Sequence, residues 1–396
     1  MTAAPNTSII TTSAILDGAP TFVFIHGFLD DASVWDGVIA SLAGKVNTVR
    51  YDLPGFGARS GAVADPKELS LQALAAEAGE VLDDTEGRVI VVGQSLGTQI
   101  AELVAAQHAD RVDGLVLLTP VPLGGTRLAD AALAPFRALG GDLDAQRSAR
   151  SQLSPALAAA QLDRLIKVGA AASPEVVTRY VDIWNNGVSD APATSAYQGP
   201  VLVIRGGIDG FVTKALVEVI VPRFPGAHEE VIEHGGHWLH VEQPDAAAQM
   251  LAEFSDDITN ARTASGWRGG FADKSQDAFA AEFTDNVVLD ATTLATPVKG
   301  KQDVARVLAT ASSIYESLEF TAEAHDGPTT YLQWKATAFG GVQIRGITIL
   351  DRDASGKIVA AAIHHRPLGA VLRFAAEIRN RLTGVISADD FLQETP

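Results

Sequence analysis

The feature that most constrains this chain is a serine between two glycines, where a strand must turn into a helix. Residues 88–92 are a β-branched apolar run typical of a buried strand, and a G-x-S-x-G motif follows directly at 93–97. From Ile100 onward, apolar residues recur at helical spacing. Glycine lacks a Cβ, so the backbone can turn sharply there and leave the Ser95 hydroxyl at the sheet edge. The helix that follows directs its first N–H groups to the same place.

Two further residues could complete a nucleophilic site around Ser95. A serine hydroxyl is a weak nucleophile until a base takes its proton and a third group orients that base. Asp209 follows the apolar run 200–205 and a Gly-Gly turn, where it could also be an ordinary turn residue. His237 follows a short strand and two glycines. His234 and His240 are its competitors, and we prefer His237 because the glycines before it give the loop freedom to reach Ser95.

Four motifs, in order, resemble the α/β-hydrolase superfamily, in its branch with a serine nucleophile and a single cap. They are His-Gly-Phe at 26–28, Asp-Leu-Pro-Gly-Phe-Gly at 52–57, Gly-Gln-Ser-Leu-Gly at 93–97, and Asp209 with Gly-His at 236–237. The resemblance covers residues 21–257. It implies that Ser95 is the nucleophile, His237 the general base and acid, and Asp209 the orienting carboxylate. It also implies an oxyanion hole formed by the backbone N–H groups of Phe28 and Leu96, and a structural role for His26.

Strand-like and helix-like runs alternate through residues 1–260, which predicts an α/β domain with a mainly parallel sheet, and the resemblance implies the α/β-hydrolase fold. We expect strands near 22–25, 46–51, 88–92, 114–118, 200–205 and 229–233, and helices near 31–43, 70–84, 96–108 and 243–257. Residues 122–199 are rich in Ala, Leu and Arg at helical spacing, which predicts helices, and the resemblance implies that they form a cap inserted between core strands. Candidate pocket walls, each of which could equally pack the cap onto the core, are Leu123, Phe136, Trp184, Phe211 and Trp238.

A small polar segment, 261–266, predicts a linker to a second domain at 267–396. Helices at 277–283 and 300–308 are expected there, with strands near 287–290, 317–324, 329–338, 341–351 and 357–365. Helices followed by a run of consecutive strands indicate an α+β unit. Apolar and polar residues alternate on either side of Gly346 with a change of phase, which predicts a β-bulge at that position.

This second domain resembles the SnoaL-like, cone-shaped members of the nuclear-transport-factor-like superfamily, on residues 283–289, 298–301 and 351–359. Some members of that superfamily are isomerases or cyclases with an Asp, His or Tyr inside the cone. The candidate equivalents in this chain are Asp290, His325, Tyr331, His364 and His365. None lies in a distinctive motif, so we favour a non-catalytic cone that supports a homodimer or covers the hydrolase site.

Composition narrows the choice of partners and location. Lys+Arg 30 against Asp+Glu 48 gives a net charge of −18, which argues against nucleic acid or an anionic membrane as a partner. The absence of cysteine excludes disulfides, thiolate nucleophiles and cysteine-based metal sites. Residues Met1–Asn6 lack the basic and apolar regions of a signal peptide, and no run of 18 apolar residues occurs. We therefore expect a cytoplasmic protein.

These features together predict a serine hydrolase that forms an acyl-enzyme without a metal or an organic cofactor. The expected substrate is a carboxylic ester or a lactone of small to medium size and apolar character. Carbon–carbon hydrolysis of a β-dicarbonyl, thioester cleavage and perhydrolysis remain open on the same residues. A cofactor-free oxygenase of this fold is a further alternative. A binding or scaffolding protein with relic motifs is the alternative from another class.

Overall fold

The computed structural model describes the backbone of residues 9–12, 16 and 19–392, and the side chains of residues 16, 19–259 and 266–392. The segment Met1–Asn6 lies outside the described residues. The chain divides into two compact units, Met1–Ser255 and Asp256–Pro396. Each unit has its own sheet and its own hydrophobic core.

The first unit is built on a seven-stranded sheet in the order β1-β3-β2-β4-β5-β6-β7. The strands are β1 (Ile9–Thr12), β2 (Thr21–Ile25), β3 (Asn47–Tyr51), β4 (Val89–Gln94), β5 (Val112–Leu118), β6 (Val201–Gly206) and β7 (His228–Ile232). Only β1 runs antiparallel to its neighbour, β3, and the other pairs are parallel. Strand β4 lies at the centre and is buried along its whole length, which explains its unbroken apolar run.

Helices connect these strands, as expected for a parallel sheet. They are α1 (Asp36–Leu42), α2 (Leu71–Asp83), α3 (Leu96–Gln107), α4 (Asp130–Arg137), α5 (Leu143–Leu153), α6 (Ala159–Ala170), α7 (Pro174–Asn186) and α8 (Lys214–Ile220). Two more helices, α9 (Leu239–Glu242) and α10 (Pro244–Asp273), follow β7. The short 3₁₀ helices are Ala32–Trp35, Gly57–Arg59, Pro66–Glu68 and Val221–Arg223. Helices α4 to α7 lie between β5 and β6, within the segment 122–199 where the sequence predicts a cap.

Helix α10 continues through residues 261–266, where the sequence predicts a linker. The division between the units falls inside this helix, after Ser255. The segment is small and polar but contains no proline and only one glycine. Alanine and arginine are good helix formers, so such a segment can be helical when the residues on both sides are helical too.

The second unit has a six-stranded sheet in the order β10-β11-β12-β13-β8-β9. Its elements are α11 (Gln276–Ala281), β8 (Phe283–Ala291), β9 (Val298–Lys299), α12 (Lys301–Ile314), β10 (Tyr315–Asp326), β11 (Thr329–Ala338), β12 (Val342–Arg352), β13 (Ile358–Arg366), α13 (Leu368–Arg381) and a 3₁₀ helix, Ala388–Asp390. The pair β13–β8 is parallel and the other pairs are antiparallel.

Two local predictions in this unit are wrong. Phe283 begins a strand rather than ending a helix, because α11 stops at Ala281 and the buried Phe283 ring packs near Trp267. Gly346 is not at a bulge: it pairs in unbroken register with Trp334. A Cβ on Gly346 would lie 2.2 Å from the Trp334 ring, so this glycine makes room for the indole. The apparent change of phase arises because Ile347 is on the outward face, 44% exposed.

Candidate active site

Ser95 lies at the corner between β4 and α3. Its backbone has φ 51° and ψ −120°, a conformation that is strained for a residue with a side chain. A Cβ on Gly93 would lie 2.3 Å from the carbonyl oxygen of Gly97, and one on Gly97 would lie 2.5 Å from that of Ile25. Both glycines are therefore required by close backbone contacts, and the corner can form only with this spacing.

The structure brings Ser95, His237 and Asp209 into one hydrogen-bonded chain. The Ser95 Oγ lies 3.0 Å from His237 Nε2, and His237 Nδ1 lies 2.8 Å from Asp209 Oδ2. The three residues follow β4, β7 and β6, whose carboxyl ends meet at one edge of the parallel sheet. With the imidazole proton on Nδ1, Nε2 can accept the serine proton, so the arrangement can generate a nucleophilic oxygen.

The Asp209 carboxylate is held in its ionised form. Its Oδ1 accepts the backbone N–H groups of Phe211 at 2.8 Å and Val212 at 3.0 Å. Burial alone would raise the pKa of Asp209, but the charge and hydrogen bond of His237, with the two backbone N–H groups, lower the pKa below its usual value. A charged Asp209 can therefore orient the imidazole and stabilise its protonated form.

Gln94 and Thr119 form hydrogen bonds to the loop that carries His237. The Gln94 Nε2 donates to the backbone carbonyl of His237 at 3.1 Å, and the Thr119 hydroxyl donates to the same oxygen at 3.2 Å. Gln94 also donates to the Thr119 hydroxyl oxygen at 3.1 Å. Sequence reasoning missed both residues. Gln94 lies inside the serine motif and Thr119 follows β5, but neither position by itself indicates which carbonyl the side chain would contact.

The two backbone groups expected to bind an oxyanion lie on neighbouring segments. Leu96 is the first residue of α3, so its N–H has no acceptor within the helix. Phe28 follows β2, and Ile25 at the end of β2 pairs with Gly93 of β4. The two segments therefore leave the sheet side by side. Phe28 and Ser95 both line the cavity described next.

A cavity with about 580 Å³ of empty space, part of it open to solvent, lies beside Ser95. Four of the five predicted wall residues line it: Phe136, Trp184, Phe211 and Trp238. The rings of Phe136, Trp184 and Phe211 pack on one another with centroids 5.4–5.8 Å apart. Phe211 also meets the His237 ring edge-on at 5.8 Å. The walls are thus mainly aromatic and aliphatic, which suits an apolar substrate.

Leu123 does not line this cavity, which corrects its prediction as a pocket wall. Its carbonyl accepts the backbone N–H of Val188 at 2.8 Å, immediately after α7. The residue is buried at 4% exposure in this junction between the start and the end of the cap. Gly125 and Gly187, both at positive φ, lie at the same junction.

The other histidines near the sheet edge have different surroundings. The His26 Nε2 accepts the backbone N–H of Leu53 at 2.9 Å, so this side chain joins the turns after β2 and β3. His240 is fully buried against the Trp35 ring, with centroids 4.5 Å apart, and burial lowers its pKa to about 3. His234 is absent from the cavity lining. Among these histidines only His237 bonds to Ser95.

The candidate residues of the second unit are dispersed. Asp290, His325 and His364 are exposed, and Tyr331 is 38% exposed on the outward face of the sheet. His365 lines a cavity with about 450 Å³ of empty space inside this unit. It lies 3.1 Å from the Tyr315 hydroxyl and 3.0 Å from that of Thr292, and burial lowers its pKa to about 4.

In the described part of the chain, no group of three or more His, Asp or Glu side chains is close enough to hold a metal ion. No helix among the described residues is long and apolar enough to cross a membrane.

Comparisons with known proteins concern the first unit. The model of the "Alpha/beta hydrolase family" matches residues 22–250. A pimeloyl-[acyl-carrier protein] methyl ester esterase from Aeromonas hydrophila is 25% identical over 246 residues, 59% of this chain and 95% of that protein. Its namesake from Nitrosomonas europaea is 36% identical over 103 residues, 26% of this chain and 38% of that protein.

Among solved structures, the enol-lactonase from Burkholderia xenovorans LB400 aligns with a TM-score of 0.54. The two sequences are 20% identical, and the alignment covers 64% of this chain and 98% of the lactonase. At this identity the likeness shows the fold alone.

Proposed function

The chain belongs to the alpha/beta hydrolase family, and on that premise we propose that it is a serine hydrolase of carboxylic esters or lactones. The observation that carries the proposal is the pair of hydrogen bonds from Ser95 to His237, 3.0 Å, and from His237 to Asp209, 2.8 Å. The name of a similar protein, a methyl ester esterase, supports the choice of an ester bond.

In the proposed mechanism the ester carbonyl carbon lies next to Ser95 Oγ and its oxygen points to the N–H groups of Phe28 and Leu96. His237 Nε2 takes the serine proton as Oγ attacks, and the negative charge that develops is stabilised by those two donors. His237 then protonates the leaving alcohol, which leaves an acyl-enzyme on Ser95. A water molecule, deprotonated by His237, attacks the acyl carbon and releases the acid. Asp209 stabilises the imidazolium in both halves, and no cofactor takes part.

The proposed substrate is a neutral ester or lactone of small to medium size with an apolar acyl part. The aromatic cluster of Phe136, Trp184 and Phe211 supports this choice, since such walls favour apolar groups. The charged side chains that line the cavity, apart from the histidine of the site, are Arg150 and Asp30, which neutralise each other. An anionic or cationic substrate would therefore find no unpaired opposite charge there.

Labelling of Ser95 and turnover of a p-nitrophenyl ester series, from acetyl to dodecanoyl, test the proposal. The wild type should react with a fluorophosphonate at Ser95, and Ser95→Ala should lose about 10⁴-fold or more in kcat. Ser189→Ala, at an exposed cap loop, is the matched control and should behave as the wild type. Oxygen uptake with a heteroaromatic substrate, combined with no ester or lactone turnover, would favour the cofactor-free oxygenase instead.

For the second unit we propose a SnoaL-like cone that takes no part in ester hydrolysis. Its order of helices and a six-stranded sheet is compatible with this assignment. His365 is the histidine that lines its cavity and is the candidate there for acid–base chemistry. His365→Phe should leave ester turnover unchanged in the full-length protein, and a loss of kcat would contradict the proposed passive role.

We also propose that the full-length chain is a homodimer that pairs through the outward face of this sheet. Tyr331 and Ile347 are 38% and 44% exposed there, on adjacent strands β11 and β12. A contiguous apolar patch on a sheet face commonly marks a contact with another protein, and these two side chains would lie within such a patch. Light scattering at micromolar concentration should give twice the chain mass, and Ile347→Lys should give a monomer. A monomeric wild type would contradict the proposal. The cytoplasmic location and the lack of a nucleic-acid partner stay predictions of the sequence.

A further inference from the structure

A buried ion pair lies in the wall of the cavity beside Ser95. Arg150 of the cap helix α5 donates from one terminal nitrogen to Asp30 Oδ1 at 2.9 Å. The two side chains are only 3% and 1% exposed. Removing two charges from water is costly, and a hydrophobic pair of similar size is often at least as stable. The stability of the fold therefore does not explain why this ion pair is present.

The ion pair is connected to the turn that carries Phe28. The second terminal nitrogen of Arg150 donates to the backbone carbonyl of Leu29 at 2.6 Å. Leu29 has a positive φ of 64°, which is strained for leucine. Arg150 therefore binds the peptide group between Leu29 and Asp30, next to this strained residue, and restrains the turn that carries the Phe28 N–H.

The same pair is connected to the loop that carries His237. The Asp30 Oδ2 accepts the indole N–H of Trp238 at 2.8 Å, and the Arg150 guanidinium lies 4.6 Å from the centroid of the Trp238 ring. Trp238 directly follows His237. One buried ion pair thus contacts, on one side, the turn of the proposed oxyanion hole and, on the other, the residue next to the proposed general base.

The end of helix α5 adds two backbone contacts to the histidine loop. The His237 N–H donates to the carbonyl of Leu153 at 2.9 Å, and the Trp238 N–H donates to the Ser154 hydroxyl at 2.8 Å. The end of α5 that carries Arg150 is therefore fastened to the core on the side of His237. This part of the cap acts as a fixed support for the site.

We propose that Arg150 and Asp30 are positioning residues that keep the Phe28 N–H and the His237 imidazole in a fixed relation to Ser95. The inference rests on the proposed function, since it assumes that Ser95 is the nucleophile. Arg150 suits this role because its planar fork donates to Asp30 and to the Leu29 carbonyl from two separate nitrogens, whereas a lysine would have to make both bonds from a single nitrogen. A displacement of about 1 Å in such a site can cost about 10²-fold in rate.

The decisive variant is the double substitution Asp30→Leu with Arg150→Met. It leaves no unpaired buried charge, so the protein should stay folded. Its thermal midpoint Tm should be lower than that of the wild type, because the Trp238 indole N–H and the Leu29 carbonyl lose these hydrogen-bond partners. Its kcat on p-nitrophenyl esters should fall about 10–10²-fold, with KM changed by less than about threefold. The rate of fluorophosphonate labelling at Ser95 should fall in parallel, because that reaction also uses the oxyanion donors and the imidazole.

Two further variants separate positioning from simple packing. Trp238→Phe keeps an aromatic ring but removes the indole N–H, and it should lower kcat by part of the loss seen in the double variant. Arg147→Met is the matched control: Arg147 lies on the same helix in an exposed ion pair with Asp163, and its removal should leave kcat and labelling unchanged.

The result that overturns the inference is a folded double variant with the kcat and labelling rate of the wild type. A raised KM with unchanged kcat would overturn it as well, because the pair would then bind substrate rather than position the reacting groups. A wild-type protein that is neither labelled at Ser95 nor active on esters or lactones would instead refute the proposed function, and the inference with it.

Discussion

Asp209→Asn is expected to abolish most turnover, because the asparagine amide is forced to present a donor to His237. In the native site Asp209 Oδ1 accepts two backbone N–H groups, those of Phe211 and Val212, at 2.8 and 3.0 Å. Oδ2 accepts the His237 Nδ1–H at 2.8 Å. If the asparagine NH₂ group pointed toward the N–H groups of Phe211 and Val212, three hydrogen-bond donors would face one another with no acceptor between them. The asparagine oxygen therefore takes the place of Oδ1, and the NH₂ group faces His237.

This orientation imposes the wrong tautomer on the imidazole. The His237 Nδ1 must accept from the amide, so the ring proton moves to Nε2, 3.0 Å from the Ser95 Oγ. A protonated Nε2 cannot take the serine proton. The variant also lacks the negative charge that would stabilise an imidazolium. Loss of the correct tautomer in a triad of this kind costs about 10⁴-fold in kcat, which corresponds to about 5.4 kcal/mol of transition-state stabilisation.

The measurement is kcat on a p-nitrophenyl ester near neutral pH, together with the rate of fluorophosphonate labelling of Ser95. Asp190→Asn, at an exposed position in the cap, is the control and should match the wild type. Asp209 and asparagine have the same shape, so the circular dichroism spectrum should be unchanged. A folded Asp209→Asn variant that keeps more than about a tenth of the wild-type kcat would refute this reasoning and the proposed role of Asp209.

Three stability predictions follow from other parts of the chain. Gly97→Ala places a Cβ 2.5 Å from the backbone oxygen of Ile25, and it should lower the free energy of unfolding in urea by about 1–3 kcal/mol. Gly61→Ala is the control, because a Cβ there has no atom within 4 Å. Equal urea midpoints for the two variants would contradict this prediction. Burial lowers the pKa of His240 from 6.5 to about 3. Between these two pH values the unfolded state binds more protons than the folded state, so the free energy of unfolding should fall as the pH is lowered from about 6.5 to about 3. His240→Phe should reduce that slope, by up to about 1.4 kcal/mol per pH unit, in urea titrations at several pH values; an unchanged slope would rule out this histidine as its source. Trp267→Ala removes a fully buried ring that has three phenylalanine rings within 6.4 Å. It should lower the free energy of unfolding in urea by about 3–5 kcal/mol. A loss below about 1 kcal/mol would mean that the aromatic cluster repacks.

The α/β-hydrolase assignment of the first unit could be made from the sequence, and the family match confirms it. Its signals are local. The run before Ser95 is buried on both faces, and Gly93 and Gly97 are needed for contacts between segments that cross at one corner. The SnoaL-like assignment of the second unit and the dimer stay predictions, because turn and packing positions are shared by many α+β folds.

Local patterns failed where a single distant contact decided the outcome. Gly346 interrupts an alternating pattern and so indicates a bulge, but the ring of Trp334 on the adjacent strand is what requires a glycine there. Leu123 is apolar and lies near the start of the cap, yet the junction after α7 takes it away from the cavity. Polarity and spacing contain no information about which neighbour a side chain meets across a sheet or a cap.

The corner at Ser95 and the order of Ser95, Asp209 and His237 follow from the sequence, because the apolar strand, the two glycines and the serine all lie within residues 88–97. The tertiary structure alone decided that Arg150 meets Asp30, 120 residues earlier in the chain. Arg150 is one of several arginines in the cap, and nothing in its sequence neighbourhood distinguishes it. A buried charge pair is specified by where the cap helix packs on the core, and that packing is the sum of many weak apolar contacts distributed over the whole unit.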